Sequence, residues 1–241
     1  MMHDCDIAAI CAHPDDADLI MGGTLARETG RGRSVALVDM TRGESGSRGT
    51  PETRAAEAQE AARILGAAHR ECLGLPDAGL EARPAQKDPV VEAIRRLRPR
   101  VILLQHWRQR HPDHAAAGRI VYEASFLAGL RSYRPDLGPP YRPFKLIYAL
   151  ALTEHHDVIP SFVVDVTSTW EIKMRAVRAF ASQFTPEPGE SVALALDRFQ
   201  QNVELASRRH GQRIGVLYGE GFVIREGLAV DDLLSLQVPS F

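Results

Sequence analysis

The fold class this chain predicts is a three-layer α/β/α sandwich around a mainly parallel sheet, and three observations predict it. Short, continuously apolar runs alternate with amphipathic helical segments over the first two thirds of the sequence, the pattern of a parallel sheet covered on both faces. Polar clusters follow directly on three of the apolar runs, where open α/β sheets bind their ligands. The length of 241 residues, with 44% hydrophobic and 25% charged side chains, suffices for one large core, so residues 1–241 are read as one domain.

The elements follow in order. "DIAAICA" (Asp6–Ala12) reads as a strand, "LIMGGTLARETG" (Leu19–Gly30) as a helix closed by glycine, and "SVALVDM" (Ser34–Met40) as the next strand. "PETRAAEAQEAARILG" (Pro51–Gly66) is a helix with proline in its first turn and glycine beyond its end. A short strand at Glu71–Leu73, a helix over Asp88–Leu97 and the strand "VILLQ" (Val101–Gln105) continue the alternation. Strands are expected at Phe144–Leu152 and Ser161–Val166, and helices at Ser168–Phe184 and Ser191–Ser207.

Bulk properties narrow the function. A formal net charge of −2 gives no footprint for nucleic acid. Cys5, Cys11 and Cys72 show no CxxC spacing, which argues against a disulfide framework or a thiolate zinc ribbon. No uncharged run approaches membrane-spanning length and no leader-like segment opens the chain. A cytoplasmic protein without a membrane partner is expected.

The chemistry lies in the polar clusters. "HPDD" (His13–Asp16) follows the first strand, "TRGESGSRG" (Thr41–Gly49) the second, and "RQRHPDH" (Arg108–His114) the strand Val101–Gln105. Adjacent carboxylates beside a core repel each other unless a cation or proton compensates them. His13, Asp16 and His114 suit a zinc ion, one per chain, because two imidazoles and one carboxylate leave a position for water; the same set accepts iron. Such an ion acidifies its bound water, and Asp15 is free to act as general base. His111 is placed to stabilise an oxyanion or protonate a leaving amine, with Asp113 expected to orient its ring and raise its pKa. Hydrolysis of an amide fits this set best. Each motif alone also reads as a helix entry capped by aspartate. Two rival functions are a magnesium-binding phosphoacceptor domain using Asp39, and a metal-binding module without catalysis.

"AHPDDADLIMGGTLA" together with "RHPDHAAAG" resembles the PIG-L/LmbE-like family of zinc-dependent N-acetylglucosamine deacetylases. The segments "LGLPDAGL", "PYRPFKLIYAL" and "PSFVVDVTSTWEIKMRAVRAFASQF" look like the bacillithiol-biosynthesis branch, and the likeness runs to about Phe184. The resemblance implies a Rossmann-like fold, metal ligands at His13, Asp16 and His114, Asp15 as base, and His111 as acid or oxyanion partner supported by Asp113. It implies N-acetylglucosaminyl-malate as substrate, another N-acetylated sugar or thiol conjugate being the alternative, and a homo-oligomer of up to six subunits. The run "ADLI" departs from the family pattern, and Asp18 is read as a supporting or capping residue. Two malate carboxylates invite arginine. Arg48, Arg54 and Arg110 are therefore candidate contacts, each also readable as a surface or structural charge. Glu44 is a candidate partner for sugar hydroxyls. His156 is a candidate site residue for this subunit or a neighbouring one, or an ordinary packing residue.

Overall fold

A computed structural model describes residues 5–152, 157–184, 192–236 and 238. The strands are β1 (Ile7–Cys11), β2 (Val35–Thr41), β3 (His69–Leu75), β4 (Val101–Gln105), β5 (Lys145–Ala149), β6 (Phe162–Asp165) and β7 (Gly219–Val223). The helices are α1 (Asp16–Gly30), α2 (Pro51–Leu65), α3 (Pro84–Leu97), α4 (Pro112–Ala128), α5 (Trp170–Ala179), α6 (Ala181–Phe184) and α7 (Val192–Gln212). One seven-stranded sheet has the order β3-β2-β1-β4-β5-β7-β6. Strands β1 to β5 are parallel, and β7 runs against both of its neighbours.

Alternation along the central strands assigns the two faces. Ala8 and Ile10 of β1, Ala36 and Val38 of β2, and Ile102 and Leu104 of β4 pack under α3 and α4. Ile7, Ala9 and Cys11, with Val35, Leu37 and Leu103, pack under α1, α2 and α5. Both faces are covered, which explains why these strands carry no polar alternation.

Several boundaries differ from expectation for identifiable reasons. Helix α1 begins at Asp16 rather than Leu19, its first turn carrying Asp16 and Asp18, where the helix dipole favours negative charge. Helix α3 begins at Pro84, a residue suited to the first turn, and continues through Pro89. The expected helix Ser168–Phe184 divides at Phe180, whose buried side chain joins the core while its backbone leaves helical geometry at ψ 52°. Strand β7 was not expected at all. Its sequence "GEGFV" hides a buried Glu220, which pairs with buried Lys173 at 2.7 Å and accepts hydrogen bonds from the backbone N–H groups of Gly23 and Thr24.

Two glycines set how closely helices approach the sheet. A Cβ on Gly23 would lie 2.7 Å from the Cβ of Val166, so α1 reaches the β6 end only with glycine there. A Cβ on Gly118 of α4 would lie 2.6 Å from the carbonyl oxygen of Gln105, at the end of β4. In an ordinary helix, Gly→Ala stabilises by about 0.5–1 kcal/mol. Here Gly118→Ala is expected to destabilise by about 1–3 kcal/mol, because the backbone it meets cannot rotate away. Chemical denaturation of the variant checks the sign.

Candidate active site

The strand order places the ends of β1 and β4 side by side, and each leads straight into a helix. After β1, Asp16 is the first residue of α1 and accepts a 2.7 Å hydrogen bond from the backbone N–H of His13, which closes the turn. Asp15 occupies the N-cap position, yet its side chain makes no capping hydrogen bond. After β4, His111 is the N-cap of α4. Its Nδ1 accepts from the backbone N–H of Asp113, and Pro112 fills the first helical position. Three residues on from His111, in the first turn of that helix, His114 lies beside it, the rings stacked 4.6 Å apart.

Three donor atoms converge between these helix starts. His13 Nδ1 and His114 Nε2 lie 3.2 Å apart, His13 Nδ1 is 3.3 Å from an oxygen of Asp16, and His114 Nε2 is 3.1 Å from the other. A tetrahedral zinc site with bonds of about 2.0–2.1 Å has edges of about 3.3 Å, so the spacing fits one small divalent ion. His13 Nε2 bonds Asp77 Oδ1 at 3.0 Å, the outer carboxylate that ordinarily orients a metal-binding histidine.

The surrounding charges are sorted by contact. Arg54, buried, reaches Asp15 Oδ1 at 3.2 Å and donates to the Gly43 carbonyl at 2.9 Å. Burial and the neighbouring Asp16 carboxylate push the Asp15 pKa up against the pull of Arg54 and His13. Asp16 is held well below the usual carboxylate range: burial opposes this, but His114 and His13 outweigh it. The carboxylate of Asp113 accepts from the backbone N–H groups of Ala78 and Leu80. Deeper still, Arg70 bonds Asp39 at 2.8 Å, Asp18 at 3.0 Å and the Pro14 carbonyl. A cavity of about 350 Å³ opens over the cluster, lined by Asp15, Ser45, Arg54, Asp77 and His111 among others.

Residues 8–125 match the family described as PIG-L, GlcNAc-PI de-N-acetylase. A 1D-myo-inositol 2-acetamido-2-deoxy-alpha-D-glucopyranoside deacetylase of Nocardiopsis dassonvillei is 30% identical over 79% of this chain and 88% of its own. The chain belongs to the PIG-L family. A diacetylchitobiose deacetylase of Thermococcus kodakarensis is 29% identical, covering 92% of this chain and 84% of that relative. The crystal structure of a conserved protein from Thermus thermophilus superposes with a TM-score of 0.83 at 38% identity, covering 94% of this chain and 97% of that one. As a PIG-L member the chain is a hydrolase, a deacetylase of N-acetylated sugar conjugates, and the family is metal-dependent. Among the described residues no helix is long and apolar enough to cross a membrane.

Measured against this PIG-L site, the sequence expectations divide. His13, Asp15, Asp16, His111 and His114 all line the one cavity. Asp113 is adjacent, but its carboxylate holds the Ala78–Leu80 backbone rather than the His111 ring. The His111 pKa is lowered, not raised, by partial burial and by the nearby His114 and His13, against the weaker opposite pull of Asp113. Arg54 reaches the site but binds Asp15. Arg48 donates instead to the Gln183 carbonyl. Glu44 accepts from the backbone N–H groups of Arg42 and Asp77 and so braces the loop. Arg110 lines an adjoining cavity, and His156 lies outside the described residues. Asp39 sits within β2, buried and bound by Arg70, which leaves no accessible phosphoacceptor.

Asp77 was missed, although "LPDAG" follows β3 just as the other clusters follow their strands. If it orients His13, Asp77→Asn should weaken metal affinity about 10–100-fold. Competition with a chromogenic chelator measures this, and unchanged affinity would remove the assignment.

Proposed function

We propose that this chain is a zinc-dependent N-deacetylase that removes the acetyl group from an N-acetylglucosamine conjugate, with His13, Asp16 and His114 holding the metal and Asp15 as general base. The observation that carries the reading is an aspartate that stands at a helix start without capping it, beside three converging ligand atoms. Iron suits the same ligands. When bound, the metal polarises the acetamide carbonyl and acidifies water.

The protein's own groups divide the remaining work. Asp15, held by Arg54, takes the proton of the attacking water. The Nδ1 of His111 is engaged by the Asp113 backbone N–H, so its Nε2 is the donor toward the developing oxyanion or the leaving amine. Asp77 and Asp113 fix the loop that walls the site.

The group joined to the sugar has two readings. Malate is what the likeness to the bacillithiol branch implies; of the three expected arginines, Arg54 lines the cavity over the proposed metal ligands but is engaged with Asp15, and Arg110 lines the adjoining one. Inositol and a second sugar are what the deacetylases of Nocardiopsis and Thermococcus carry in their names.

Acetate release is to be measured on zinc-loaded protein with N-acetylglucosaminyl-malate, N-acetylglucosaminyl-inositol and diacetylchitobiose. Asp15→Asn should retain the metal and lower kcat about 10²–10⁴-fold. Full activity of that variant would refute the base, and a metal-replete protein inert toward every conjugate would refute the function.

A further inference from the structure

Among the described residues, two apolar surfaces remain uncovered. The first is on α4, which turns Arg119, Tyr122 and Phe126 outward, a spacing that puts all three on one helix face. Trp107, in the loop after β4, extends that face, and a groove of about 610 Å³ runs between them and Glu81. Arg225, two residues beyond β7, lies at its rim. The guanidinium stands 4.3 Å from the ring centre of Tyr122 and 4.5 Å from that of Trp107. No carboxylate pairs with it among the described residues. The acidic side chains of the groove are already answered, Glu123 by Lys87 and Arg119, and Glu81 by Arg83.

The second surface is the segment that follows Arg225. Residues 226–236 form no strand, and their one helical turn is the short 3₁₀ turn Leu233–Ser235. Leu228, Val230, Leu233, Leu234 and Leu236 are exposed, Leu234 at 92%. Among the described residues none of them joins an apolar core, and none beyond Arg225 lines the groove. The segment carries Glu226, Asp231 and Asp232 and no lysine or arginine. Glu226 pairs with Lys145, and Asp232 accepts from the backbone N–H of Leu234. Asp231 is left with no ion pair among the described residues.

We infer that residues 226–236 of one copy dock in the α4 groove of a second copy of this chain, leucines against Trp107, Tyr122 and Phe126, and Asp231 toward Arg225. Large contiguous apolar surfaces mark interaction sites, and aromatic side chains with arginine are what interface cores are enriched in. Charge selects the occupant: an apolar groove with an unanswered cation fits an apolar strand with an unanswered carboxylate. Position selects it too. The segment leaves the body at the groove's own rim, so a two-fold axis beside Arg225 sets each segment before the other copy's groove. Its extended reach of about 35 Å is ample for the crossing. Exchange of this kind is self-complementary and closed, and it covers both surfaces at once. The inference is independent of the deacetylase reading, and no part of its test reads activity.

Sedimentation equilibrium of the full chain tests it. Wild type should form an even-numbered assembly. Leu234→Glu and Phe126→Glu should each halve its mass and leave the far-ultraviolet circular dichroism unchanged. Leu205→Glu, at an exposed position of α7 outside both surfaces, should leave the mass unaltered. A monomeric wild type, an unaltered mass in either of the first two variants, or the same loss in Leu205→Glu overturns the inference. Should a variant not fold, amide exchange of the wild type decides. Exchange over residues 228–236 should slow as protein concentration rises; exchange independent of concentration means that the segment is covered by its own chain or by nothing, and overturns the inference.

Discussion

The structure depends on how a crowd of carboxylates at the strand tips is neutralised. Asp15, Asp16, Asp18, Asp39, Asp77 and Asp113 all lie at or behind one loop cluster, and carboxylates that close cannot stay ionised without compensation. Arg70 answers Asp18 and Asp39, and Arg54 answers Asp15. Backbone N–H groups answer Asp113. Asp16 is left to two imidazoles that face one another across it, the three side chains lying close enough together to hold one metal ion.

Arg70 shows that such neutralisation also builds shape. Buried ion pairs add little net stability, because desolvation offsets their attraction. What they add here is placement: one guanidinium joins β2, β3 and α1 and holds the carbonyl of Pro14, so the turn between His13 and Asp16 is fixed from behind. From the front, Asp77 holds His13. The turn that carries His13 and Asp16, two of the proposed metal ligands, is thus clamped on both sides, which is what precise positioning of reactive groups requires.

Much of this was legible in the sequence, and the division has a physical cause. Local signals carried β1, β2, β4 and α2, because apolar runs and cap residues depend on near neighbours. The two histidine motifs were legible because parallel topology returns successive strand ends to the same edge. Residues whose meaning comes from distant partners were not. An arginine looks the same in sequence whether it meets substrate, as was expected of Arg54, or Asp15, 39 positions away, as it does. Arg70 and Asp77 declare their roles only once β3 is paired against β2. Strand β7 was hidden because Glu220 depends on Lys173, which lies in α5.

The central claim is a single divalent ion bound by two imidazoles and one carboxylate at the junction of β1 and β4. X-ray absorption at the metal edge of the zinc-loaded protein tests it most directly. One zinc per chain is expected, in a shell of nitrogen and oxygen at about 2.0–2.1 Å, with that shell lost in His114→Ala. A sulfur shell at about 2.3 Å, or an unaltered spectrum in His114→Ala, would contradict it.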